Sequence, residues 1–364
     1  MKIITVIGVR PQFIKSVRVS QAFAANGVGE MLLHTGQHFN KQMSDVFFDE
    51  LGISVPSHQL NIHGSSHGAM TGRMLEGIEQ VLIAEKPDAV LVYGDTNSTL
   101  AGALAAVKLH IPVAHIEAGL RSFNRKMPEE INRIMTDHIS TWLFAPNANA
   151  TEQLHKEGIA TEKIKNLGDV MYDAALYFGQ EAEKKSPILS TLGQNPQDYV
   201  LATIHRAENT DSPERMHNIF SALHEISDTA QVVLPIHPRT RKKIEELHIQ
   251  SHRIKMIEPV GYLDMIMLEK YAALIITDSG GVQKEAFFYR VPCLTLRSDT
   301  EWTELVELGW NTLADPVSKD VIITAFHACL NKKGKESMPY GDGNSAQLIA
   351  DYLKYSINQP VWAP

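Results

Sequence analysis

Cysteine is nearly absent from this chain of 364 residues: there are two, Cys293 and Cys329. Both stand in apolar stretches without CxxC spacing, which excludes a disulfide framework and predicts buried thiols in a reducing compartment, the cytoplasm. Long hydrophobic runs are also missing. No stretch approaches the length of a membrane span, and the apolar start MKIITVIGV is too short for a signal-peptide core before it meets Arg10-Pro11. The sequence therefore reads as a soluble protein. Positive charge is in deficit, with 34 Lys and Arg against 42 Asp and Glu, a formal net charge of −8. Without a basic block, neither nucleic acid nor an anionic membrane is the expected main partner, so any bound phosphate must be held by local cations and backbone. The 16 histidines form no HExxH, which argues against a catalytic metal, and no GxGxxG follows a strand, which leaves a nicotinamide cofactor unsupported.

A hydrophobic content of 44% over this length suffices for two cores. Strand-like runs alternate with helical patterns: IITVIG (3–8), MLLHTG (31–36), AVLVYGD (89–95), VAHIEAG (113–119) and WLFAP (142–146). A second series follows in YVLATIH (199–205), QVVLPIH (231–237), IKMIEP (254–259), ALIITD (273–278) and CLTLRS (293–298). This alternation predicts an α/β protein with two parallel sheets, each covered by helices. The segments 166–169 and 184–198 read as turn-rich or polar, and the boundary is placed near residue 168. The domains are then 1–168 and 169–345, with the C-terminal stretch 346–364 packing back on the first.

In open parallel sheets ligands bind beyond the carboxyl ends of the strands. Arg10, Asp95, Glu117, His205 and Ser279 all follow strand-like runs, which predicts one interdomain cleft receiving groups from both halves. In IITDSGGVQKEAF (275–287) an apolar strand gives way to Asp278, Ser279, two glycines and a helix expected over 282–289. Unpaired N–H groups at a helix start attract anions, and glycine permits close approach, so the segment reads as a phosphate cradle; an ordinary N-cap at Asp278 or Ser279 is the plainer alternative. Arg10, Lys15 and Arg297 supply cations, and Glu285 suits a ribose diol. Asp95 and Glu117 end apolar strands, where an ionised carboxylate is costly unless paired or functional. Glu129 and Glu130 open a helix, where glutamates favour the dipole and can pair with Arg133. Several carboxylates near one cleft push at least one pKa upward, which suits a general acid.

GxRPxxIK, GDTxST, HIEAGLRS, MPEEINR, HRxEN and TDSGGxQxEA, in this order along essentially the whole chain, resemble the non-hydrolysing UDP-N-acetylglucosamine 2-epimerases. The resemblance implies a GT-B architecture of two Rossmann-like domains with parallel sheets facing an interdomain cleft, a homodimer, and no added cofactor. It implies that Asp95, Glu117, Glu129 and His205 are catalytic, that Arg10, Lys15, Ser279, Gly280, Gly281, Glu285 and Arg297 bind UDP, and that Gln37, His38 and Arg73 are what remains of an activator site. The activity implied is reversible C2 epimerisation of a UDP-2-acetamido sugar, UDP-N-acetylglucosamine to its manno epimer, by elimination and re-addition of UDP, for surface polysaccharides such as capsule or O-antigen. The short loop before MPEE and the form HRAENTD resemble the branch that includes archaeal epimerases and bacterial enzymes acting on UDP-2,3-diacetamido-2,3-dideoxyglucuronic acid. Arg125, Lys126, Arg206 and Arg239 are candidates for reading C3 and C6. A hydrolysing 2-epimerase, a GT-B glycosyltransferase and a nucleotide-sugar sensor are the competing classes.

Overall fold

Runs of β-branched and aliphatic residues buried on both faces build the strands, as expected where helices cover both sides of a parallel sheet. The structure, a computed structural model, describes residues 1–37, 51–64 and 66–357, with Arg239 described by its backbone alone. The chain divides into two units, 1–174 with the stretch from Met338 onward, and 175–337.

The first unit carries β1 (Lys2–Ile7), β2 (Gly29–His34), β3 (His58–Gln59), β4 (Ala89–Tyr93), β5 (Val113–Ile116), β6 (Trp142–Ala145) and β7 (Ile164–Asn166). They form one parallel sheet in the order β3-β2-β1-β4-β5-β6-β7. Its described helices are α1 (Arg10–Ala25), α2 (His67–Glu85), α3 (Asn97–Lys108), α4 (Pro128–Ile139), α5 (Ala148–Lys156) and α6 (Val170–Lys185), the last crossing the point of division. The second unit carries α7 (Ile188–Leu192), β8 (Tyr199–Thr203), α8 (Ala207–Thr210), α9 (Pro213–Ile226), β9 (Gln231–Pro235), α10 (Pro238–Glu246), β10 (Lys255–Ile257), α11 (Tyr262–Lys270), β11 (Leu274–Thr277), α12 (Gly280–Phe288), β12 (Cys293–Thr295), α13 (Thr303–Glu307), β13 (Asn311–Leu313) and α14 (Lys319–Cys329). Its parallel sheet runs β10-β9-β8-β11-β12-β13. In both sheets the order reverses beside the first strand, between β1 and β4 and between β8 and β11, and such switch points are where open α/β sheets bind ligands.

The final helix, α15 (Ser345–Ser356), belongs to the first unit: Ala346, Ile349, Ala350 and Leu353 share a core with Ile3, Phe13 and Phe23. Its start is fixed by Asp173, whose carboxylate accepts the Ala346 N–H at 2.7 Å. Residues 358–364 of the expected C-terminal stretch lie outside the described residues. The two thiols are free and buried. The segment 184–198, read as turn-rich or polar, contains α7 over Ile188–Leu192, whereas 167–169 are irregular and follow directly on β7. Strand β7 pairs along β6 and is made by that neighbour rather than by its own composition. Among the described residues no helix is long and apolar enough to cross a membrane.

His34, at the end of β2, is buried against Phe13, and burial pulls its imidazole down to about 4. Between about pH 6.5 and 4 the unfolded chain therefore binds a proton that the folded chain does not. Stability from this group is whole above that window and falls, by up to about 1.4 kcal/mol per pH unit, as pH drops through it. Urea unfolding of His34→Leu against the native chain at pH 7, 5.5 and 4.5 is expected to show a shallower acid loss in the variant; parallel curves would remove His34 from the account.

Candidate active site

At the first switch point the turns after β1 and β4 are locked together by Gln12. Its Oε1 accepts the Gly8 N–H at 2.8 Å, and its Nε2 donates to the Tyr93 carbonyl at 2.8 Å and to the hydroxyls of Thr96 and Thr99 at 3.1 and 3.0 Å. Gly8 allows this closeness, since a Cβ there would lie 2.1 Å from Ser98 Oγ and 2.4 Å from Thr35 Oγ1. Arg10 opens α1 just beyond. Lys15, one turn on and buried, pairs its ammonium with the Glu117 carboxylate beyond β5. Glu117 has φ +70°, a left-handed conformation that is rare for such a residue and typical of functional turns. Beside it Gly94, also at positive φ, leaves the room a side chain would take from Glu117 Oε2, 3.2 Å from where its Cβ would stand. Burial pushes the Asp95 carboxyl above its ordinary range, opposed by the Arg133 charge, aided by Glu117 and opposed again by Lys15.

Helix α4 brings the remaining groups at helical spacing. Arg133 binds Asp95 Oδ2 through Nη2 at 2.6 Å and Nε at 2.9 Å, and Glu130 Oε2 through Nη1 at 2.9 Å. Asn132 donates to the Asp95 carbonyl at 2.9 Å. The adjacent glutamates take different parts. Glu130 is buried and accepts the N–H groups of Ser122 and Phe123 at 2.8 and 2.9 Å, so it closes the loop before α4. Burial alone would raise its pKa, but the Ser122 bonds, Arg133 and Phe123 hold it below the usual carboxylate range. Glu129 is partly exposed and takes no part in that loop closure.

At the second switch point Ser279 is the N-cap of α12 and accepts from Val282 N at 3.5 Å. Asp278, fully buried, turns the other way: it accepts the backbone N–H groups of His205 at 3.1 Å and Arg206 at 3.0 Å and the Asn209 amide at 3.2 Å, with His205 Nδ1 3.2 Å away. His205 is thereby anchored while its ring stays half exposed. Gly280 is packed under Glu301, whose Oε1 lies 2.3 Å from where a Cβ would stand, and its carbonyl accepts Trp302 Nε1–H at 2.9 Å. Gly281 is exposed and Glu285 sits on α12 half-buried. Arg297, buried at the end of the β12 turn, is held by Asp299 and Glu301, each at 3.0 Å.

The structure thus brings together Lys15, Asp95 and Glu117 in the first unit, with Arg10 and Glu129 on the flanking helices. In the second it brings together His205, Ser279, Gly280 and Arg297. Lys15, expected to hold UDP, stands among the carboxylates. Gln37 accepts from Ser98 N and Oγ at 3.1 and 2.8 Å, Arg73 is an exposed residue of α2, and His38 lies outside the described residues. Sequence reading missed Gln12, Asn132 and Asp278 as site builders. Only Asp278 carried a signal, as an acid ending an apolar strand. Among the described residues no three His, Cys, Asp or Glu side chains gather as a metal site.

The sequence model of the UDP-N-acetylglucosamine 2-epimerase family matches residues 21–354. The chain is 54% identical, over 97% of its length and 99% of the relative's, to the UDP-2,3-diacetamido-2,3-dideoxy-D-glucuronate 2-epimerase of Pseudomonas aeruginosa. The crystal structure of Methanocaldococcus jannaschii UDP-GlcNAc 2-epimerase in complex with UDP-GlcNAc and UDP superposes with a TM-score of 0.88 at 46% identity, covering 98% of this chain and all of that one. That of the Neisseria meningitidis UDP-GlcNAc 2-epimerase bound to UDP-GlcNAc gives 0.88 at 32% identity, covering 97% of this chain and 100% of that one. With the family's model spanning most of the chain, the fold shared from end to end and its motifs at both switch points, this chain belongs to the UDP-N-acetylglucosamine 2-epimerase family of UDP-sugar isomerases.

Proposed function

We propose that the protein interconverts a UDP-2-acetamido sugar and its C2 epimer by eliminating and re-adding UDP, and that its substrate is UDP-2,3-diacetamido-2,3-dideoxyglucuronic acid. The 54% identity to an enzyme named for that substrate supports the choice. UDP-N-acetylglucosamine is the second reading, supported by the 46% identity to the Methanocaldococcus enzyme. The product would feed a surface polysaccharide, and a homodimer is the proposed working form.

The observation that carries the reading is the contrast between two neighbouring carboxyls. Lys15 lies against Glu117 and favours its charged form, whereas Asp95, though gripped by Arg133, is raised by burial above its ordinary range. Inverting C2 calls for both states, charged and protonated. The C1–O bond breaks with its electron pair going to the diphosphate, the C2 proton passes to a carboxylate, and a C1=C2 double bond forms. A protonated carboxyl then returns a proton to the other face of C2 while the diphosphate oxygen re-forms the bond at C1. We assign Asp95 and Glu117 to these transfers, with Glu129 assisting departure at C1. Ser279, Gly280, Gly281, Arg10 and Arg297 are assigned to the diphosphate, Glu285 to the ribose, and His205 to the leaving oxygen.

Proton NMR in D₂O with each UDP-sugar tests this. Deuterium at C2 in a mixture of both epimers is the expected result, faster with the diacetamido uronate. Free UDP accumulating with a released sugar would mark a hydrolase, and no change with either substrate would sink the reading.

A further inference from the structure

Behind the two carboxylate turns lies a cluster of charges whose centre touches no solvent. His115 on β5 and Asp137 on α4 are both fully buried, with His115 Nδ1 2.7 Å from Asp137 Oδ1. The other ring nitrogen, Nε2, lies 2.7 Å from the Gly94 carbonyl. A carbonyl only accepts, so Nε2 carries a hydrogen, and the facing Nδ1 and carboxylate hold another proton between them. The second Asp137 oxygen accepts the Gly119 N–H at 3.1 Å and Arg121 Nη1 at 2.8 Å. Arg121 gives Nε and Nη2 to Glu157, both at 2.7 Å, and His138 stands 3.5 Å from the same carboxylate. Burial alone would raise the Asp137 pKa, but His115 and Arg121 hold it below the ordinary range.

A buried ion cluster is a poor route to stability, since well-packed apolar residues often do as well. Its ends suggest another use. Gly94 immediately precedes Asp95, and Gly119 follows Glu117 by two residues. The glycines take positive φ freely, but Glu117 between them also has positive φ, a conformation a residue with a side chain does not hold unaided. A chain of hydrogen bonds from Gly94 through His115 and Asp137 to Gly119 links one turn to the other. Helix α4 supplies Asp137 and, one turn earlier, the Arg133 that grips Asp95.

We propose that the buried His115–Asp137 pair is a positioning device that sets the spacing of Asp95 and Glu117, and so the rate of proton transfer at C2, without touching substrate. The inference rests on the epimerase reading above. It separates from plain structural support in a comparison of His115→Gln, which keeps an N–H within reach of the Gly94 carbonyl, with His115→Phe, which keeps a flat ring and no donor. His115→Phe is expected to lower kcat about 10–100-fold, the scale of misplacing a catalytic group by about 1 Å, with KM and UDP affinity changed less than about threefold. His115→Gln is expected to stay within about fivefold of the native rate at a similar loss of melting temperature. Equal losses in both variants, or none in either, would overturn the proposal. Should His115→Phe not fold, Asp137→Asn, which removes the charge holding Gly119, supplies the slow arm. If the native protein turns over neither UDP-sugar, the epimerase reading fails, and positioning is read instead from carbon-13 NMR titration of the Asp95 carboxyl. That titration is expected to move by about half a pH unit in the donorless variant and to stay put in His115→Gln; an unmoved titration in both overturns it.

Discussion

Replacing Asp95 or Glu117 by its amide is expected to lower turnover of the UDP-sugar by about 10³-fold, within the range that positioned acids and bases supply. UDP affinity is expected to change less than about threefold, because the groups assigned to the nucleotide lie elsewhere, at the start of α12 and at Arg10 and Arg297. The two variants differ in what they leave behind. In Asp95→Asn the Arg133 guanidinium keeps Glu130 as a partner at 2.9 Å, so the loss should appear in rate with little change in melting temperature. In Glu117→Gln the buried Lys15 ammonium loses the carboxylate it faces, and a measurable loss of stability should accompany the loss of rate. Rates of C2 deuterium incorporation, UDP calorimetry and thermal melts decide this together. Native exchange rates in either variant would remove that residue from the chemistry.

The architecture was legible because most of the strands contain an aliphatic run, as β1, β4, β8 and β11 do. What escaped were β3 (His-Gln), β7 (Ile-Lys-Asn) and β13 (Asn-Thr-Leu), which lack an aliphatic run and owe their form to the neighbour they pair with. Ser279 was legible as a cap or a cradle because strand end, serine and glycines are consecutive. Asp278 was not legible as the anchor of His205, for the two are 73 positions apart and meet only because β8 and β11 are adjacent in the sheet. The same holds for Lys15 and Glu117, 102 positions apart. The glutamates opening α4 show the remaining limit. Glu129 and Glu130 are consecutive and equally suited to a helix start, and only the path of residues 122–123 determines that Glu130 is enclosed by backbone donors.

Asp278→Ala is expected to cost the second unit about 3–5 kcal/mol, the usual consequence of removing one member of a buried, hydrogen-bonded charge group. The carboxylate takes the N–H groups of His205 and Arg206 and the amide of Asn209, and no water-facing atom replaces it, since the residue is fully buried. The cost is also local in direction. Without that acceptor the turn after β8 loses what fixes it to the end of β11, so His205 is no longer held in register with Ser279 one residue beyond Asp278. UDP binding is therefore expected to weaken by at least about tenfold even in the fraction that remains folded. Asp278→Asn separates the two effects: its carbonyl oxygen still accepts, while its amide nitrogen faces donors, so stability should fall by about half as much. Urea unfolding followed by tryptophan fluorescence, to which Trp302 and Trp310 of this unit contribute, gives the first quantity and calorimetry with UDP the second. An unfolding midpoint and a UDP affinity both unchanged in Asp278→Ala would mean that the turn holds itself, and that His205 owes its place to something other than this carboxylate.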